Sequence, residues 1–266
     1  MSLLISLARG LLSRPTQHTY ALNHSVQVAD LHLPRRGGPF PVAVVIHGGH
    51  WQARYGKLTT RLLAADLARR GWAAWNVEYR RLGGGQGGGW PVTFLDVAGA
   101  VDHLAALGDP RLDLTRVVVV GHSSGGQLAL WVAGRPGLPE AAPGADPRVH
   151  PRAVVALAPV TQLTRAGEAG RALLGGTPEQ FPARFAQADP IGRVPLGVPT
   201  LVVHATDDST IDVNDSRAYV VAARIAGDDA TFIEVTSGGH KRLLDPGSRA
   251  WESAAQWLTT VVPTDA

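Results

Sequence analysis

Along most of the chain, short runs of β-branched residues alternate with longer stretches whose apolar positions recur every three to four residues. "FPVAVVIHGG" (40–49) is a short apolar, β-branched run ending in glycines, whereas "TTRLLAADLARRG" (59–71) spaces its leucines and alanines as a helix would. Uninterrupted apolar runs predict strands covered on both faces, and the striped segment predicts a helix lying on them. The pattern then repeats. Strands are predicted in "WAAWNVEYR", "TRVVVVG", "PRAVVALAPV", "VPTLVVHATDD" and "ATFIEVTSGGH". Helices are predicted between Pro91 and Gly108, in "GGQLALWVAG", in "SRAYVVAARIAG" and in the closing "SRAWESAAQWLTTVV". Pro91 suits a helix start, and Gly71 and Gly108 suit helix ends. Alternation of this kind predicts an α/β fold, a mostly parallel sheet with helices on both faces. Before it begins, "HTYALN" and "SVQVADLHLP" read as an antiparallel pair of strands.

No internal repeat or linker divides residues 1–266, so a single domain is expected. In "MSLLISLARGLLSRP", Leu4, Leu7, Leu11 and Leu12 fall near a helical period. The segment lacks a charged start and a small-x-small cleavage site, which argues against a secretory signal. Residues 1–18 are therefore expected to be a helical segment docked on the body. The stretch 160–195, between two predicted strands, has room for a short helical flap but not a large lid.

Composition narrows the function classes. Of the 266 residues, 45% are hydrophobic and 18% charged, which suits a globular chain with a substantial core. The formal net charge is +3, carried by arginine, with Lys57 and Lys241 the only lysines. No basic run or arginine–aromatic block is present, so no nucleic-acid partner is expected. The absence of cysteine excludes disulfides, thiolate nucleophiles and cysteine-bound metals, and fits a cytoplasmic protein. No stretch has the ~20 apolar residues of a membrane span. Oligomeric state is not legible in the sequence.

Candidate chemistry centres on "VVVVGHSSGGQLAL" (117–130), which places G-x-S-x-G between a predicted strand and a predicted helix. That setting is the one in which a serine is lifted above a sheet on a sharp turn, at a helix N-terminus that favours developing negative charge. Gly121 and Gly125 make Ser123 the central serine. Ser124 has His122 rather than glycine two positions before it, but its backbone N–H can serve as an oxyanion donor. Upstream, "VVIHGGHW" runs from a strand into His47-Gly48-Gly49, where Gly48 and Gly49 could supply further N–H donors. A serine hydroxyl needs a base, and the base an orienting carboxylate. His240, in the glycine-flanked "TSGGH", is the candidate base. "HATDDST" offers Asp208 as the acid with Asp207 as the alternative, while His204 ends a buried strand and reads as structural. "GGGQGGGW" (83–90) lacks the Gly-Lys-Ser/Thr of a phosphate loop and reads as a mobile loop at the cleft rim. Asp96, Asp102, His18, His24, His32, His103 and His150 read as solvent-facing, capping or loop residues, and Arg80 and Arg81 as solvated. No metal or other cofactor is expected.

Taken together, "HGGHW", "GHSSGG", "HATDDSTI" and "SGGH" resemble the α/β-hydrolase superfamily, and within it the small esterases and kynurenine-formamidase-like arylformamidases with an HGGxW oxyanion loop. "EYRRLG" (78–83) adds to the likeness, which runs from about Val26 to the end of the chain. The resemblance implies an α/β-hydrolase fold with a short cap or none. It implies Ser123, Asp208 and His240 as a catalytic triad and Gly48, Gly49 and Ser124 as oxyanion donors. His50, Trp51 and His122 would be substrate contacts, with Trp51 equally readable as packing. The expected activity is hydrolysis of a small-molecule carboxylic ester through an acyl-enzyme. The alternative is removal of formyl from an aromatic amide such as N-formylkynurenine, and a non-catalytic ligand-binding protein on the same scaffold is a third reading.

Overall fold

The computed structural model describes residues 14–264. Eight strands form one sheet: β1 (Thr16–Thr19), β2 (Val28–His32), β3 (Phe40–Ile46), β4 (Ala73–Val77), β5 (Leu112–His122), β6 (Ala153–Leu157), β7 (Thr200–Ala205) and β8 (Ala230–Val235). Their order across the sheet is β1-β2-β4-β3-β5-β6-β7-β8. The β1–β2 and β2–β4 pairs are antiparallel, and every later pair is parallel. The helices are α1 (Arg61–Arg69), α2 (Val92–Leu107), α3 (Ser124–Ala133), α4 (Gly167–Leu174), α5 (Pro182–Ala188), α6 (Val213–Ile225) and α7 (Arg249–Val261). This is the α/β-hydrolase fold.

The uninterrupted apolar strands are explained by two cores, one on each face of the sheet. Val42, Val44 and Ile46 of β3 point into a cluster with Phe94, Leu128 and Trp131, and Ala43 and Val45 point the other way, toward Leu63, Leu67 and Trp251. The second face is closed by a polar tie in which Trp251 Nε1 donates to Asp66 Oδ2 at 2.7 Å, joining α7 to α1. No helix among the described residues is long and apolar enough to cross a membrane.

Chain order locates the functional end of the sheet. From β3 the chain moves outward to β4, then returns across β3 to β5 and continues in the other direction. Loops leaving the carboxyl ends of β3 and β5 therefore diverge and open a crevice between them. "VVIHGG" leaves β3 there and "GHSSG" leaves β5 there, so both motifs reach the same crevice from adjacent strands.

The expected N-terminal helical segment falls mostly on residues 1–13, outside the described residues. Its last residues, 16–18, belong to edge strand β1, paired with β2 from Thr16↔Leu31 to Thr19↔Val28. Between β6 and β7 the chain forms the short helices α4 and α5. The glycine-rich loop after β4 folds back on Arg81: Gln86 Oε1 accepts from Arg81 N and Nε, and Gly88 N donates to Arg81 O.

Candidate active site

Ser123 sits between β5 and α3 with φ 56° and ψ −124°, a left-handed conformation that a side chain rarely adopts. The surrounding glycines are required by close approach. A Cβ on Gly121 would overlap the Gly125 carbonyl, and one on Gly125 would overlap the carbonyls of Ile46 and His47. The turn is anchored by Ser123 N donating to Leu157 O at 2.8 Å, and Ser123 O accepts from Gln127 N and Val160 N. Ser124 is the first residue of α3, where backbone N–H groups lack intrahelical partners.

Facing the elbow, the loop after β3 is shaped by His47 and Glu78. His47 is fully buried, with Nδ1 2.8 Å from Gly48 O and Nε2 2.8 Å from Glu78 Oε1. Its ring stacks on Tyr79 at 4.4 Å, and the Tyr79 hydroxyl donates to His47 O. Engaging Gly48 O turns that peptide so that the Gly49 N–H points away from His47. The Gly48 and Gly49 N–H groups have no acceptor among the described residues, so both donors are uncommitted. Glu78 also receives Lys57 N at 3.0 Å and Arg81 Nη1 at 2.9 Å. Burial alone would raise its carboxyl, but the His47 hydrogen bond and the neighbouring positive charge outweigh that and hold it below the usual carboxylate range.

The third component is the loop after β8. His240 Nδ1 lies 2.7 Å from Asp208 Oδ2, and Asp208 itself is held by Thr210 N (2.7 Å) and Ile211 N (3.1 Å) on Oδ1. Burial raises the Asp208 carboxyl, yet the hydrogen bonds from His204, His240 and the two backbone N–H groups drive it far below the ordinary carboxylate range. Asp207, the alternative acid, does not reach the imidazole. Its two oxygens accept from Gly238 N and Gly239 N at 3.1 and 2.7 Å, so it holds the backbone of the same loop. The adjacent aspartates thus divide the work, one on the ring and one on the loop.

His122, expected as a substrate contact, is only 5% exposed and faces inward. Burial, and then the nearby His240, lower its pKa to about 3, so it is neutral; its Nε2 lies 2.8 Å from His240 O. The two rings are 4.6 Å apart. His122 therefore clamps the His240 loop to the elbow. The Ser123 hydroxyl makes no hydrogen bond to His240 among the described residues; the two loops meet through His122. Nucleophile–base hydrogen bonds are often longer before substrate arrives.

Trp51 is 1% exposed, and its indole Nε1 donates to Gln127 Oε1 at 3.2 Å. Packing dominates its role, although its edge reaches a cavity of about 260 Å³ walled by His50, Trp51, Val160, Gln162, Arg165 and Ile211. His50 is half-buried at that cavity. Burial, then the charges of His240 and Arg54, shift its pKa down. Gln127, which no motif singled out, is fully buried and also donates to Ala188 O at 2.9 Å, so it links the loop after β3, α3 and α5. A glutamine on an otherwise apolar helix was the available signal.

Several residues expected at the surface are inside. Asp96 is 2% exposed and takes Arg80 on both oxygens; Asp102, only half-buried, takes Arg135 on both. Arg81 is buried between Glu78, Gln86 and the Tyr55 carbonyl, so neither arginine of the pair is free for a substrate anion. His32 is buried, and desolvation lowers its pKa to about 4. Charged residues can be buried only where partners exist, and those partners come from distant segments.

With this geometry in hand, comparison with known proteins is informative. The BD-FAE family model matches residues 29–222, which is most of the chain. The chain belongs to the BD-FAE family. The matched span takes in the His47 loop, the Ser123 elbow and Asp208, and it ends before His240. Beyond the BD-FAE match, the chain is 27% identical over 236 residues to Esterase LipC of Mycobacterium tuberculosis; this covers 81% of the chain but only 56% of LipC. Among solved structures, an acetyl ester-xyloside bifunctional hydrolase from Caldicellulosiruptor lactoaceticus superposes with a TM-score of 0.79 at 20% identity, covering 96% of this chain and all of the other. A thermophilic esterase from Thermogutta terrifontis superposes with a TM-score of 0.77 at 21% identity, covering 96% and 95% of the two chains. The same esterase has also been solved phosphoramylated by tabun.

Proposed function

We propose that this BD-FAE protein is a serine hydrolase of small carboxylic esters, with Ser123 as nucleophile, His240 as general base and Asp208 as orienting acid. The observation that carries the reading is the strained Ser123 turn at the head of α3, set against a loop whose His240 is held by Asp208 and clamped by His122. In the proposed sequence, the Ser123 hydroxyl attacks the ester carbonyl while His240 Nε2 takes its proton. Asp208 keeps the Nδ1–H tautomer and stabilises the imidazolium. The oxyanion is received by the N–H groups of Gly48, Gly49 and Ser124, donors that cost no reorganisation because they are already uncommitted. His240 then protonates the leaving alcohol, and water, activated by the same imidazole, releases the acid.

Three further observations support this reading. LipC carries the name esterase, and the Thermogutta terrifontis protein of the same fold is an esterase modified by an organophosphorus agent. Val160, whose N–H donates to Ser123 O, lines a cavity of about 260 Å³, which would give a small acyl or alcohol group room beside the elbow. Helices α4 and α5, within 160–195, would act as a short flap over a single hydrolase domain. Cytoplasmic placement is kept as part of the proposal on the absence of cysteine.

The test is turnover of 4-nitrophenyl acetate and butyrate alongside N-formylkynurenine, with fluorophosphonate labelling of the native chain and of Ser123→Ala. Ester turnover and a label, both lost in Ser123→Ala, are expected. A strong preference for the formyl amide would replace the ester reading with the formamidase one. A native chain that takes no label and turns over neither class would leave a ligand-binding protein.

A further inference from the structure

The Asp208 carboxylate is approached by two histidines. On Oδ2, where His240 Nδ1 binds at 2.7 Å, His204 Nε2 also binds, at 3.1 Å. His204 is the penultimate residue of β7 and has no exposed surface. Its Nε2 also lies 3.2 Å from Ile211 O, so both neighbours of that nitrogen are acceptors and Nε2 must carry a proton. Its Nδ1 lies 2.7 Å from Ser216 Oγ on α6, a hydroxyl that is itself fully buried. A neutral ring with Nε2–H leaves Nδ1 as an acceptor, and the Ser216 hydroxyl donates to it. Every polar atom of the arrangement is then satisfied without a second buried charge.

We propose that His204 is a positioning residue of the hydrolytic site, a permanent Nε2–H donor that holds Asp208 Oδ2 toward His240 and takes a share of its negative charge. The inference rests on the triad reading given under Proposed function. His204 touches neither substrate nor reacting atoms, and it acts through Asp208. Two consequences follow. The carboxylate is fixed by four donors, two backbone N–H groups on Oδ1 and two imidazoles on Oδ2, so it cannot rotate away when His240 moves toward Ser123. Its charge is also divided between two rings, so it stabilises protonated His240 less than an undivided carboxylate would. His240 must be neutral to accept the Ser123 proton, and the site stays active to lower pH as a result.

Other titratable groups facing this cluster are few. His122 approaches from β5, Asp215 from α6, and His50 from the oxyanion loop, while Asp207 is engaged with the backbone of residues 238 and 239. None of them hydrogen-bonds to Asp208, so none could replace the His204 donor.

Three substitutions separate positioning from mere packing. The amide nitrogen of His204→Gln can occupy roughly the place of Nε2. That of His204→Asn reaches only the place of Nδ1, toward Ser216, and His204→Leu offers no donor. The acid limb of kcat/KM should stay near its native position in His204→Gln and move up by about half to one pH unit in the Asn and Leu variants, reflecting one lost hydrogen bond to a charged group. On the acid side of that limb, kcat/KM should fall by up to roughly 3–10-fold in those two, the fraction of His240 lost to protonation, with KM within about twofold. Identical pH profiles in the folded Gln and Asn variants would overturn the proposal. The native protein provides an arm that needs no variant, ¹H–¹⁵N correlation of the histidine rings between pH 5 and 9. It should show neutral His204 as the Nε2–H tautomer, and an Nδ1–H tautomer would also overturn it. If Ser123→Ala remained active, the triad reading would fail, while the tautomer measurement would still report on the His204–Asp208 contact by itself.

Discussion

Replacing each of the adjacent aspartates by asparagine isolates what each contributes, because the two carboxylates are bonded so differently. In Asp208→Asn the side chain keeps one acceptor and gains a donor. Thr210 N and Ile211 N, at 2.7 and 3.1 Å, are fixed backbone donors, so the amide oxygen stays on their side. The NH₂ group must then face His240 Nδ1 and His204 Nε2, previously 2.7 and 3.1 Å from a carboxylate oxygen. A donor opposite Nδ1 makes that nitrogen the acceptor and moves the ring proton to Nε2, the atom meant to receive the Ser123 proton. Reversal of the tautomer costs about 10⁴ in kcat in comparable triads, equivalent to ~5 kcal/mol of barrier. KM should change little, because no substrate contact is removed. Asp207→Asn keeps an oxygen for Gly239 N and loses only the weaker bond to Gly238 N, so kcat should fall less than about tenfold. Initial rates on 4-nitrophenyl butyrate at pH 7.5, with thermal melts to show that both variants are folded, make the comparison. An Asp208→Asn enzyme retaining more than about a tenth of native kcat, or an Asp207→Asn enzyme more impaired than Asp208→Asn, would refute the reasoning.

Two further predictions concern stability. Ser123→Gly removes the Cβ that makes φ 56° and ψ −124° costly, so it should be inactive but more stable than Ser123→Ala by about 1 kcal/mol, after allowing for the greater freedom of glycine when unfolded; equal urea midpoints would show that the turn stores no strain. Asp189, which receives Leu163 N at 2.9 Å, has its pKa raised by burial from 3.8 to about 6. Because the folded value is the higher one, its contribution is intact below pH ~4 and is lost as pH rises through 6; Asp189→Asn should abolish this loss and raise stability at pH 7 by as much as ~3 kcal/mol. A pH scan of the melting temperature from 4 to 7 that is identical in the two proteins would contradict it.

Much of the fold was legible because local pattern and tertiary role coincide in this chain. Apolar runs such as "PVAVVI" have no polar face to present to water, so they had to become strands covered on both sides. Gly121 and Gly125 bracket Ser123 for a steric reason that can be read from sequence: side chains there would strike backbone. Asp96 and Arg81 were misread because a charge is hidden only by a partner, and the partners of Asp96 (Arg80 and Gln27) come from other segments. The contact of His122 with the His240 carbonyl was not legible for the same reason, since only the packing of β8 beyond β7 brings the two together.

By itself, then, the sequence determined the strand–helix alternation and the place of the elbow, since each depends on residue type and short-range spacing. Tertiary structure decided the rest. It set Asp208 on the His240 ring and Asp207 on the backbone of the same loop, joined His122 to the His240 carbonyl and Trp51 to Gln127, and brought His204 onto the Asp208 oxygen that holds His240. Those outcomes depend on the direction in which a side chain points after distant strands have paired. A hydrogen bond is lost over an ångström or a few tens of degrees, a precision that spacing along the chain does not carry.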